Sequence, residues 1–496
     1  MDYDVVVTGG GPVGLMLACE LRLSGVSVLV VERLTEPDLT IKAGAINVPS
    51  VEAFYRRAML PDLQDAQQRS MEKLMAFMKE RFGCGAPFQA PPKFAGHFAG
   101  IMLSSDRLDE SDDAFADRGA AGGGGLVSQQ VIEAILAARA VSLGVELRRG
   151  VELTAFDAGA DGVRVHVGAD TIRAGWLVGA DGGRSTVRKL AGFDFPGTGP
   201  EITGHQAMVD IEGAEQLGLG WHRTDTGVYV YGPMPGRMLT VEFDGPPVDR
   251  DAPITAEELQ TSLRNVSGVD VTITQVHTAT RFTDNARQVR DYRLGRVLLA
   301  GDAAHVHSPF GGQGLNLGLG DAMNLGWKLA AAIRGWAPDG LLDTYTSERH
   351  PIGAWVLEWN RAQVALMRPE PRARALRGVV EDLIETVTGT TYFVRKISGV
   401  WQRYDLGGDH PLIGASAPDL ALSDGSKPAD HAHDGTALVL DLADDPKLRA
   451  LLAGWSDRVR VVTAGCVDRP DLTGLLIRPD GYVAWAADGS ADLAGL

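Results

Sequence analysis

Two hydrophobic rhythms alternate along the chain. Residues 4–8 (DVVVT) form a β-branched run that suits a buried strand, and LMLACELRLSG then spaces its apolar residues for a helix that Gly25 ends. Residues 27–31 read as a second strand, closed by Glu32. The strand–turn–helix rhythm returns at residues 297–300, which lead through Gly301-Asp302 and a loop with Pro309, Gly311, Gly312 and Gly314 into a long apolar-periodic helix. Between these two units lie a helix over 126–144, the strands VELRRG and VRVHVG parted by Asp161-Gly162, and a strand at 176–179 opening into ADGGRSTVR.

From 193 to 291 the pattern changes to short β-like segments such as GVYVYG and RMLTVEFDG, with one acidic helix near 256–265, and predicts a separate sheet domain. Helical periodicity then dominates from 341, breaks at Pro369 and Pro371, and resumes to about Val400. A Pro/Gly-rich connection at 409–418 precedes a compact α/β tail with strands around ALVLDL, RVRVVTA and LLIRPDGYVAW and a helix near 445–453. The pattern resembles thioredoxin topology, without a CxxC pair, so the tail is given a structural or oligomer-contact role. Three smaller stretches complete the picture. Lys42 and Asn47 precede an amphipathic helix starting near Ser50. Residues 71–81 predict a short amphipathic helix whose methionines pack a core or line a pocket. Residues 104–125, acidic and then glycine-rich, predict a mobile insertion or pocket lid.

Composition narrows the class. With 496 residues, 45% hydrophobic content and a mean hydropathy of −0.03, the chain has two to four globular domains' worth of core. A net charge of −17 with no basic block argues against nucleic acid as a partner. Cys19, Cys84 and Cys466 are widely separated, with neither a disulfide frame nor zinc-ligand spacing. The N-terminus lacks a basic signal-peptide start, and no apolar run reaches the ~18 residues of a spanning helix. The expectation is a soluble cytoplasmic protein with no membrane partner and no metal.

The glycines carry the chemistry. In Gly9-Gly10-Gly11-Pro12-Val13-Gly14, Gly9 permits a tight turn, Gly11 lets backbone approach a pyrophosphate, and Gly14 allows close helix–strand packing. Glu32, at the end of the next strand, is placed to accept the two hydroxyls of an adenosine ribose. The loop 309–314 presents backbone N–H groups at a second helix N-terminus, a site for negative charge. Asp181 ends a third strand, followed by two glycines and a helix in which Arg184 and Arg188 tie the turn down. His205, Trp221, His222, Tyr229 and Tyr231 either line a flat apolar pocket or are ordinary sheet residues. His305 and His307, two apart with no third ligand nearby in sequence, read as loop anchors.

Gly9–Gly14 with Glu32, residues 181–188, and Gly301-Asp302 with residues 309–316 follow one another in an order that resembles the class A, single-component FAD-dependent aromatic hydroxylases. The resemblance is greatest to the branch acting on polycyclic polyketides in antibiotic pathways, rifampicin monooxygenases included. It implies an α/β fold: a Rossmann-like, GR2-type, para-hydroxybenzoate hydroxylase-like FAD domain (1–70, 100–190 and 285–395), an inserted β-sheet substrate domain (71–99 and 191–284) and a thioredoxin-like C-terminal domain (410–496).

By the same resemblance Gly9, Gly11, Pro12 and Gly14 hold the FAD pyrophosphate, Glu32 the ribose, and Gln129 and Asp302 the phosphate and ribityl region. Asp181 and Arg188 belong to the segment shared by FAD and NADPH, and Arg33 and Lys42 join the cofactor contacts. Pro309, Gly312, Gly314, Leu315 and Asn316 flank the flavin edge, where N–H groups and a helix dipole stabilise the reduced anion. Ile41-Lys42 stand where relatives commonly carry Ser-Arg, and Pro49 where they carry another Arg. The implied reaction uses NADPH or NADH and O2, with a flavin C4a-hydroperoxide hydroxylating a polycyclic aromatic substrate in a monomer or homodimer. No side chain need act as nucleophile. Baeyer–Villiger or ring-opening oxygenation is the alternative outcome of the same chemistry, and a flavin-bound scaffold without turnover the non-enzymatic one. The WxWxIP segment of a halogenase and a second GxGxxG are both absent.

Overall fold

The computed structural model describes residues 1–82, 94–232, 234 and 236–489. Cys84, part of the 71–99 segment and the end of 410–496 lie outside the described residues.

Val5, Val6 and Val7 have no solvent exposure, because their strand, Tyr3–Thr8, runs through the middle of a parallel sheet covered on both faces. Its neighbours are Val28–Glu32 on one side and Asp170–Gly179 on the other, with Glu146–Arg149 and Val297–Leu299 beyond them. The short strand Arg293–Leu294 closes that edge antiparallel, and the hairpin Leu153–Ala158 and Val163–Val167 joins through Asp170–Gly179. Helices Pro12–Leu23, Gln129–Ser142 and Gln313–Arg334 pack together over the sheet. Three parallel strands end side by side at Thr8, Gly179 and Leu299, so the loops after them converge at one edge. That edge, at the carboxyl ends of parallel strands, is where α/β sheets bind ligands.

The second sheet is antiparallel, in the order Gly220–Arg223, Gly227–Tyr231, Arg237–Glu242, Thr203–Glu212, Thr272–Phe282. Strand alternation sorts its two faces. Tyr229, Tyr231 and Met238 pack on the helix Ala256–Ser267, while Val228, Val230, Leu239 and Val241 pack into a second apolar cluster rich in aromatic rings. His205 belongs to the helix side, where its Nε2 lies 2.8 Å from Glu258, which also takes Arg281. His222 stacks on Tyr229, with ring centroids 4.7 Å apart. Of the five pocket candidates in this sheet, Trp221 alone joins the aromatic cluster.

The tail forms a four-stranded sheet in the order Val459–Thr463, Ala437–Asp441, Leu472–Ile477, Val483–Asp488. It docks through buried charge. Arg57 pairs with Glu20 through two bonds of 2.7 and 2.6 Å and donates onward to the carbonyls of Ala432 and Pro479. Arg478 and Lys328 both hold Glu348. Such pairs are strongly destabilising to break one-sidedly, so they fix the docking geometry.

Two expectations are corrected. Residues 71–81 continue a single longer helix, Leu60–Phe82, and Met71 and Met75 are 48% and 44% exposed, so they do not fill a core. Residues 104–125 are a pinned element: Arg118 reaches Glu52 at 3.0 Å, Asp109 N–H donates to Thr391, and Gly125 pairs with Ile46. Several of its acids are engaged locally, Asp112 capping a 3₁₀ turn and Asp109 accepting from Ser111. Composition alone hides such partners.

Candidate functional site

Each converging loop is shaped by glycine in a different way. Gly9 has φ +102°, and a Cβ there would overlap the carbonyl of Ala180, the first residue of the second loop. A Cβ on Gly14 would overlap the carbonyl of Gly9, so loop and helix touch through bare backbone. Gly11 is the reverse case. Nothing lies within 4 Å of the position its Cβ would take, although the residue opens the helix Pro12–Leu23. That helix start carries no side-chain cap, which leaves its N–H groups for an anion.

Glu32 stands beside this turn. Its two oxygens accept from Gly10 N–H (2.7 Å) and Leu34 N–H (2.9 Å), and each keeps a lone pair for a ribose hydroxyl. Arg33 next to it is exposed. In the second loop Asp181 Oδ2 caps the helix Thr186–Ala191, accepting from Thr186 N–H (2.7 Å) and Val187 N–H (3.2 Å). Its Oδ1 is buried with no partner among the described residues, an acceptor that a bound ligand would satisfy. Arg188 donates to the carbonyls of Gly183 (2.8 Å) and Ala303 (2.9 Å) and lies over the Phe195 ring, so it ties the second loop to the third. Arg184 takes no part in this tie, being exposed and paired with Asp251.

The third loop is the most heavily built. Gly311 and Gly312 have φ +80° and +63°, and Gly312 starts the helix Gln313–Arg334, again without a side-chain cap. Asn316 does not offer its side chain outward. Its Oδ1 accepts from Asn47 N–H (2.9 Å) and Ser50 Oγ (2.7 Å), and its Nδ2 donates to Gly312 (2.8 Å). Asn47 itself caps the helix Val48–Arg56, so Asn316 clamps two helix starts together. Leu315 is buried in the core and Pro309 is exposed at the loop mouth. Gln129 anchors its helix by donating N–H to Ala43, and Lys42 lies 2.8 Å from Asp38.

His305 and His307 divide their work. His305 is fully buried, its Nε2 2.7 Å from Asp321, whose other oxygen takes Arg349 Nε at 2.8 Å. Burial pushes the Asp321 carboxyl up, yet the charges of His305 and Arg349 outweigh it and hold the group below the usual carboxylate range. Asp321 also accepts from Gly301 N–H, so this network fixes the loop from beneath. His307 donates Nδ1–H to Ser308 O at 2.7 Å, leaving Nε2 buried and without a partner. Burial lowers its pKa. A Cβ on Gly314 would lie 3.4 Å from His307 Nε2 and 3.9 Å from Asp302 Oδ1, which puts both groups against the start of the long helix. Among the described residues, no group of three metal-ligating side chains occurs.

Asp321, Arg349, Asn47, Ser50 and Phe310 support the site without standing out in the sequence as site residues. A lone acid at 321 inside an apolar-periodic helix was the available signal. Asp302 is exposed and makes no hydrogen bond to a described residue, which leaves its carboxylate open to a ligand. Replacing Asp302 by alanine is therefore expected to weaken FAD binding ~tenfold or more, the scale of one charge-assisted hydrogen bond, with an unchanged melting temperature for the ligand-free protein. Fluorescence titration with FAD and a thermal melt give the two readouts.

The uncapped helix starts, the empty space over Gly11 and the unpaired Asp181 oxygen at one sheet edge define a dinucleotide-binding flavoprotein site, and these residues fit FAD. A family model described as FAD binding domain matches residues 2–360, and one described as aromatic-ring hydroxylase, C-terminal, matches 410–496. The chain belongs to this family of FAD-dependent aromatic-ring monooxygenases. It is 40% identical over 522 residues to a 12-dehydrotetracycline 5-monooxygenase/anhydrotetracycline 6-monooxygenase of Streptomyces rimosus, covering 100% of this chain and 97% of that protein. It is 39% identical over 507 residues to a rifampicin monooxygenase of Streptomyces venezuelae, covering 99% and 97%. The solved structure of the anhydrotetracycline hydroxylase OxyS from Streptomyces rimosus superposes with a TM-score of 0.85 at 39% identity, covering 100% of this chain and 97% of that one. Among the described residues, no helix is long and apolar enough to cross a membrane.

Proposed function

We propose that the protein hydroxylates a polycyclic aromatic compound of the polyketide type, using NADPH or NADH and O2. The observation that carries this reading is an apolar cluster rich in aromatic rings between the antiparallel sheet and the third loop. Phe98, Trp221, Phe282, Phe310, Trp359 and Phe393 pack there with Val230, Leu239 and Val241, and Phe310 directly precedes Gly311 of the loop. A flat fused-ring compound matches such residues by ring stacking and apolar burial. Relatives acting on tetracycline precursors and rifampicin support the same substrate class.

In this reading Gly9, Gly11, Pro12 and Gly14 hold the pyrophosphate, and Glu32 with Arg33 the adenosine end. Gln129, Lys42, Asp181 and Asp302 hold the middle, while Pro309, Gly312, Gly314, Leu315 and Asn316 shape the edge facing the ring. FAD, when bound and reduced, supplies the activation of dioxygen. The chain's own groups bind the cofactor, orient the substrate and keep it from water. We assign residues 1–70, 100–190 and 285–395 to FAD, 71–99 and 191–284 to substrate, and 410–496 to a docked thioredoxin-like domain. A cytoplasmic monomer or homodimer fits a user of intracellular NAD(P)H. The test is a yellow, FAD-loaded preparation whose NADPH oxidation is followed with a panel of hydroxylated fused-ring compounds. Acceleration by one of them, with an oxygenated product of intact carbon skeleton, is expected. No acceleration by any member contradicts hydroxylation, and an expanded ring in the product replaces it with Baeyer–Villiger chemistry.

A further inference from the structure

Beside the aromatic cluster lies one charge that has no partner among the described residues. Arg237 opens the strand Arg237–Glu242 and shares its face with Leu239 and Val241, both residues of that cluster, whereas Met238 between them points to the opposite helix. Its Nε is buried without a hydrogen-bond partner, and no ion pair or hydrogen bond joins its guanidinium to any described residue. Burial lowers its pKa, with no carboxylate nearby to raise it. The titratable group it does influence is His97, which burial and the Arg237 charge together push down to about 4. His97 is therefore neutral, accepts weakly from Gly100 N–H, and leans on Trp221 with ring centroids 4.7 Å apart. Trp221 in turn faces Phe310 at 6.4 Å, beside the loop proposed to flank the flavin. The rings of His97, Trp221 and Phe310 thus run from the neighbourhood of Arg237 to the third loop.

A half-buried guanidinium with no partner among the described residues is costly to keep, and the fold gains nothing visible from it. We propose that Arg237 is the anion-binding residue beside the aromatic cluster, holding an ionised phenol or enol oxygen of the polycyclic substrate. This rests on the reading of the cluster as a fused-ring site and narrows it to acidic phenols and enols. A phenol held there gives its proton to water and stays as the oxyanion, since the guanidinium stabilises that form. The phenolate ring is the more electron-rich nucleophile, so the chain needs no carboxylate base at this step.

The test uses FAD-loaded protein with two probes: alizarin, a planar hydroxyanthraquinone that ionises near neutral pH and changes colour on doing so, and its non-ionisable dimethyl ether. Wild type is expected to bind alizarin as the coloured anion at a pH where the free dye is largely neutral. Arg237→Gln is expected to lose that colour shift and ~tenfold or more in alizarin affinity, with ether binding unchanged. Arg237→Lys should recover part of the shift. Without ligand, Arg237→Gln should retain its FAD and melt no lower than wild type, because an unpaired charge has been removed. Equal anion binding by Arg237→Gln, equal losses for both probes, or a clearly lowered melting temperature would each overturn the assignment. Failure of both probes to bind wild type overturns the fused-ring reading of the cluster and this assignment with it. Anion binding that survives alongside absent hydroxylation would overturn the reaction alone.

Discussion

Gly11→Val is expected to yield a folded but colourless protein. The space over Gly11 is empty in the ligand-free fold, so the new side chain meets nothing there and the melting temperature should hold. A pyrophosphate seated on the start of the helix Pro12–Leu23 would occupy that space, and FAD affinity should fall by ~100-fold or more, as when close backbone approach is blocked at an anion site. Gly14→Val separates the two roles. Its Cβ has no room beside the Gly9 carbonyl, and backbone cannot swing aside as a side chain can. Overpacking of this kind costs ~1–3 kcal/mol or more, so this variant should be unstable before FAD is added. Thermal melts of the ligand-free proteins, followed by FAD titration of those that fold, distinguish the outcomes. Equal stability and colour in both variants would show that neither glycine has the role given to it.

Asp321→Ala carries the other large effect. Its carboxylate holds His305, Arg349 and the Gly301 N–H at once, all in the interior. Removing it strands the fully buried Arg349 without its counter-charge, and one-sided loss of a buried pair costs ~3–5 kcal/mol. A denaturant melt should register that loss. The pH dependence has the sign of a carboxylate lowered by folding: the contribution is complete above the ordinary range near 3.8 and drains away as pH falls through the folded value. Wild type should therefore lose stability on acidification more steeply than the variant. A variant as stable as wild type would remove Asp321 from the support of the third loop.

Elements set by local chemistry were legible in the sequence. Gly9 and Gly14 were legible because a tight turn and close helix–strand packing each exclude a side chain. The strand ends at Glu32, Asp181 and Asp302 followed from apolar runs that stop at an acid. Contacts between distant segments were not legible. Nothing in the sequence joins the Asn316 side chain to Asn47 and Ser50, more than 260 positions away. Trp221 and Tyr229 look equally fit to line a pocket, and strand parity and pairing in the folded sheet decide which one does. Met71 and Met75 show the same limit for helices, since an apolar stripe does not say whether anything packs on it. Arg237 was invisible for the opposite reason: its significance is the absence of a partner, which no local pattern records.

The three converging loops would hold FAD beside the aromatic cluster, where a fused-ring substrate would be hydroxylated. Turnover of the accelerating substrate under heavy-isotope dioxygen tests this most directly, with the product read by mass spectrometry. The expected result is one labelled oxygen atom in a hydroxyl on the intact ring system. Unlabelled product, or substrate recovered unchanged while NADPH is consumed, would contradict it.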